Sequence, residues 1–177
     1  FYGPAGCAAC HSGPFQTDHG FHAMGQPQIG PGKAMAYEGN FRDMGRYRVT
    51  GHEGDKFAFR TPSLRNVTLT GPWGHAGAFS DLGDFIRHHL YPVSGIDTYR
   101  DQTILPDFAG QRADWALWDD VDERAAIARA VMFRPVPLSD AEISALLAFL
   151  EALEDREAIA GVFGIPDAVP SGLPVDR

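Results

Sequence analysis

"CAACH", residues 7–11, is the stretch on which the fold turns. Cys7 and Cys10 are both cysteines of the 177-residue chain. A Cys-x-x-Cys pair alone fits a redox dithiol, a small disulfide or half of a zinc site. The histidine that follows separates these readings. Cys-x-x-Cys-His is the attachment sequence of a c-type haem. Two intervening residues let both sulfurs reach the two porphyrin vinyl groups, and His11 then falls under the iron as an axial ligand. A zinc site needs further ligands at suitable spacing, and there is no second cysteine pair. A thioredoxin-like pair needs a βαβ setting, and no parallel-strand pattern surrounds it.

Composition narrows the partners. The net charge is -8, with 44% hydrophobic and 21% charged residues. That is a globular composition, and its acidity argues against nucleic acid, whose phosphates need a basic face. It suits a soluble partner with a positive patch. No apolar run approaches the roughly 18 residues of a membrane span. The first residues, Phe1-Tyr2-Gly3-Pro4, have neither the basic start nor the apolar run of a signal peptide.

Residues 12–80 are mostly loop chemistry, as in "GQPQIGPGK" (25–33) and "GHEGDK" (51–56). Strand alternation is almost absent. Three helices stand out. One begins near Ser80 and covers "DLGDFIRHHL". The next covers "DDVDERAAIARAVM" (119–132), with acids in its first turn. The last opens with Ser139-Asp140-Ala141-Glu142, a capping box, and carries Ile143, Leu146, Leu147, Leu150 and Leu153 on one face. The tail "GIPDAVPSGLPVDR" is rich in Pro and Gly. The expected fold is all-α: a cytochrome c-like haem domain over 1–160 with long loops, then an extended tail over 161–177. The stripe on the last helix needs a partner. In cytochrome c folds that is a helix before the haem cysteines, and only six residues precede Cys7, so that N-terminal helix is expected on a missing segment or another chain.

The second axial ligand has candidates in Met24, Met35, Met44, Met132 and the other histidines. On the helix after Ser80, Leu82, Phe85, Ile86 and His89 share one face, whereas His88 falls with Asp81 and Asp84. Periodicity therefore makes His89 a candidate and His88 a solvated residue. A half-buried structural His89 is the competing reading.

"FRTPSLRNVTLTGPWGHAGAFSDL" (59–82), together with the haem motif, resembles the C-terminal haem domain of bacterial di-haem cytochrome c peroxidases and MauG-type enzymes. The match spans most of residues 1–90, and "VPSGLPVD" in the tail fits the same group. The family places its distal ligand seventeen residues after the Pro of Thr-x-Pro. With Pro72 as that residue, the position is His89; family peroxidases carry Met there and MauG Tyr. Paired histidines imply a six-coordinate, low-spin iron of lower potential. The resemblance also implies a calcium ion between two haem domains, with backbone carbonyls of Thr70 and Pro72 in its shell. Arg65 and Asn66 are candidates for the haem propionates, an ordinary buried ion pair being the alternative. Trp73 stands where Tyr is usual, beside the porphyrin edge. His75 matches a family histidine, but Ala76 replaces the usual Asp.

Family members carry two haems, and this chain has one attachment motif. It is therefore expected to be the C-terminal, electron-transfer part of a longer or split enzyme, with no catalytic residue of its own. The whole would be a periplasmic oxidoreductase that takes electrons from a small redox donor protein and reduces hydrogen peroxide at a second haem. The alternatives are MauG-like oxidation of a protein side chain, a mono-haem electron carrier, and a relay subunit.

Overall fold

The computed structural model describes residues 1–30, 42–77, 79–104, 113–161, 166 and 168–173. Most of the expected tail, Met35 and part of the 25–33 loop lie outside the described residues. The described chain is mostly helical, as expected: α1 (Tyr47–Thr50), α2 (Leu82–Leu90), α3 (Pro92–Gln102), α4 (Ala116–Asp119), α5 (Val121–Ala130), α6 (Asp140–Glu151) and α7 (Arg156–Ile159). Its one two-stranded ribbon, β1 (Phe21–His22) against β2 (Phe59–Arg60), pairs Phe21 with Arg60 and His22 with Phe59. The ribbon fastens the segment after the haem motif to residues 59–60.

Local chemistry sets the helix ends. Asp81 caps α2 by accepting from the Asp84 N–H at 2.9 Å, which satisfies a donor that the first turn leaves orphaned. Tyr91 ends α2, and Pro92 opens α3 at once, its fixed φ suiting a first helical position. Asp120 caps α5 through the Asp122 and Glu123 amides. Ser139 and Glu142 form the reciprocal capping box of α6.

Packing builds two apolar clusters that share α3. Phe57, Ile96 and Ile127 form one, with Met44 and Phe59 against it. Phe79 and Tyr99 form the other, with Trp73, Phe85, Trp115 and Trp118 around them. α6 lies on α2 and on the 3₁₀ turn Val67–Leu69. Its stripe is buried at Ile143, Leu146 and Leu150. Phe1 also reaches this helix, its ring 4.6 Å from that of Phe149.

α3 was not foreseen. Its buried positions are Pro92, Gly95, Ile96 and Tyr99, which is the i, i+3, i+4, i+7 pattern of a helix face. Two of the four are Pro and Gly, so the stripe does not read as apolar. A second correction concerns α2. His88 is only 2% exposed, not solvated. The helix is gripped on two sides, by α3 and by α6, and a single-face reading cannot anticipate that.

Candidate haem site

The motif folds as a 3₁₀ turn over Cys7–Ala9, entered through Gly6 at φ 64°. Only glycine adopts that conformation without strain. The His11 amide donates to the Cys7 carbonyl at 2.9 Å, and the Asp18 amide to that of Cys10 at 2.7 Å. The buried Thr17 hydroxyl donates to the Thr61 carbonyl at 2.7 Å. Both cysteines are free and half-buried. Burial first, then Asp18 and Cys7, push the Cys10 thiol up. A redox dithiol wants its thiolate favoured, so this environment does not serve a thioredoxin-like role.

The two expected axial histidines are anchored alike. His11 Nδ1 lies 3.1 Å from the Gln16 carbonyl, and His89 Nδ1 lies 2.9 Å from the Phe85 carbonyl one turn back in α2. A carbonyl oxygen only accepts, so each Nδ1 carries the proton and each Nε2 is the lone-pair nitrogen. Metal-binding histidines are held in this way, with the outer N–H on a backbone or carboxylate oxygen. Charge on His11 also disfavours protonation of His89. Burial is the first cause lowering both pKa values, and the backbone carbonyls oppose it only in part. Both are thus neutral imidazoles at neutral pH, the form that binds metal. The donor set of two thiols and two anchored imidazoles fits a covalently held haem.

The methionine candidates among the described residues lie in different settings. Met132 is 72% exposed, and Met44 packs against the Phe57 cluster. Met24 is half-buried beside the motif.

Arg65 is exposed and pairs with Asp155 at 3.6 Å, while the Asn66 side chain accepts from the Asp155 amide at 2.6 Å. These two residues thus fasten the start of α7, through an ion pair that is exposed rather than buried. Trp73 donates from Nε1 to the Val67 carbonyl at 2.7 Å and packs on the Phe79–Tyr99 cluster. Thr70 and Pro72 lie on an exposed turn.

His75 finds a carboxylate after all. Its Nε2 lies 2.7 Å from Asp43 Oδ2, and its ring stacks on Phe59 at 3.7 Å. Asp43 is held by Gln28, which accepts from its amide at 2.9 Å and donates to its carbonyl at 2.8 Å. Gln26 accepts from the His75 amide at 3.0 Å. Asp43 therefore reaches His75 from another loop. Nothing in the spacing of the sequence marks that pairing.

Cys10, Asp18 and His22 bring ligand atoms within 4.8 Å of one another, enough to hold a metal ion. Asp18 and His22 already bond each other at 2.8 Å, and thioether formation would take Cys10 out of the set.

No family model matches the chain. It is 34% identical over 108 residues to a cytochrome-c peroxidase, IdrP1, of Denitromonas iodatirespirans, covering 50% of this chain and 29% of that protein. It is 37% identical over 90 residues to the methylamine utilization protein MauG of Methylorubrum extorquens, covering 51% of this chain and 23% of that protein. A solved MauG-like protein associated with microbial copper homeostasis matches with TM-score 0.54 and 25% identity, over 89% of this chain and 45% of that one. The chain is similar to bacterial cytochrome c peroxidases and MauG-type proteins. It spans less than half the length of each of these relatives. Covalent c-type haem is the cofactor that such relatives imply, and no helix among the described residues is long and apolar enough to cross a membrane.

Proposed function

We propose that this chain is the electron-transfer haem domain, within residues 1–160, of a periplasmic peroxidase-type enzyme. The observation that carries the reading is the matched anchoring of His11 and His89, each with Nδ1 on a backbone carbonyl and Nε2 left as the ligating atom. When bound, the haem would supply the one-electron couple by which an electron from a small donor protein reaches a second haem that reduces hydrogen peroxide. Cys7 and Cys10 would hold the group covalently, and His11 and His89 would bind its iron. With both ligands from the protein, no open position would remain for peroxide, and that chemistry would fall to a second haem domain, elsewhere in the polypeptide or on another chain. A calcium ion at the Thr70–Pro72 turn, between the two domains, belongs to the same proposal.

MauG-like oxidation of a protein side chain is the second reading, favoured by the identity to MauG itself. The test is the haem-loaded chain alone. It should carry one haem by pyridine haemochrome, accept electrons from a reduced small cytochrome, and turn over no peroxide. Peroxide turnover by the isolated chain would overturn the assignment.

A further inference from the structure

His88 is the side chain that the site does not use and that the fold buries most completely beside it. It is 2% exposed. Backbone groups of Gly25, Met24 and Gly95 lie beside its ring, yet neither ring nitrogen meets hydrogen-bond geometry with any of them. The ring is instead packed. Its plane is 7° from that of Phe85 at 6.4 Å, and Phe79 lies 5.1 Å away. On its other side is Gly95 of α3, where an added Cβ would overlap His88 Nδ1. Gly25, following the haem motif at φ 65°, closes on Pro92 at the same corner. A buried, polar-capable ring with no geometric hydrogen bond, set into a glycine notch, acts through its shape.

The next residue is His89. Its Nδ1 bonds to Phe85 of its own helix, so its ring turns as one body with α2. Successive residues sit about 100° apart around a helix. The wedge at 88 therefore points into α3, while 89, one position on, points about 100° away from it. At the rim of a helix, roughly 5–6 Å from its axis, a rotation of about 10° moves an atom by about 1 Å. A bond to a metal does not tolerate such a shift.

We infer that His88 and Gly95 form a ring-in-notch contact that sets the rotation of α2 and thereby aims His89 at the iron: His88 is a positioning residue, not a ligand. This rests on the reading of His89 as the distal ligand.

The test uses the haem-loaded chain with His88→Ala, which removes the wedge, Gly95→Ala, which crowds it, and the double variant. Carbon monoxide binding to the ferrous protein reads how firmly His89 holds its place, and the ferric low-spin EPR spectrum reads its orientation. Each single variant should bind carbon monoxide at least about tenfold faster, the scale on which groups that orient a metal ligand act. The double variant should be no worse than His88→Ala, since the methyl then fills the space the ring has left. Ile127→Ala, in the other apolar cluster, controls for loss of stability and should leave both readouts unchanged. Unchanged carbon monoxide rates and EPR spectra in the folded single variants would overturn the inference, as would additive effects in the double variant. Failure of both single variants to fold would assign the contact to stability alone and also overturn it. His89→Ala separates the two levels. If that variant keeps a six-coordinate bis-histidine spectrum, the ligand reading itself fails; if it loses that spectrum while the His88 and Gly95 variants change nothing, only the positioning role fails.

Discussion

At the scale of residues, the site depends on where protons sit. His11 and His89 each spend one nitrogen on a carbonyl, and burial keeps both neutral. Replacing His89 by Met should keep six ligands but raise the midpoint potential on the order of 0.1 V, because a thioether favours ferrous iron; potentiometric titration of the two proteins checks it. Asp18 is a second test. A hydrogen bond from His22 is the main cause holding its carboxyl at about 2. A depressed carboxylate contributes stability above its unfolded pKa and loses it as pH falls through the folded one. The contribution should therefore be complete above about pH 4 and fade towards pH 2, and Asp18→Asn should flatten that part of a urea-stability profile. As candidates, the motif cysteines and His11 were marked by spacing alone, and His89 by a helix face and the Thr-x-Pro offset together. Asp43 was not, since it meets His75 across 32 residues with no local signature.

At the scale of elements, the helices with strong ends were the readable ones. The capping box of α6 and the acid-rich start of α5 both form where the sequence places them. Ser139→Ala should cost about 1 kcal/mol, measurable as a lowered urea midpoint with unchanged slope. α3 escaped notice because Pro92 and Gly95 stand at positions of its buried face. The notch that hides the helix from a hydropathy reading is the one into which His88 fits. The misreading of His88 has the same origin: α2 has two neighbours, and one amphipathic stripe describes a helix with a single neighbour.

At the scale of the whole molecule, α3 joins the two apolar clusters, giving Ile96 to one and Tyr99 to the other. Ile127, 2% exposed, packs against the first. Ile127→Ala should cost about 2–5 kcal/mol, seen in chemical unfolding, while leaving the haem spectrum of the folded protein intact. The mostly helical class was legible because helix periodicity and caps are local. The proposed division of labour with a second haem rests on family resemblance alone, since no residue described in this chain bears on it.

The central claim is that His11 and His89 are the two axial ligands of one covalent haem. Low-temperature EPR of the ferric chain, beside its His89→Met variant, tests it most directly. The account predicts a low-spin bis-imidazole spectrum for the chain and a change to a histidine–methionine spectrum in the variant. A high-spin chain, or a variant that keeps the bis-imidazole spectrum, would contradict it.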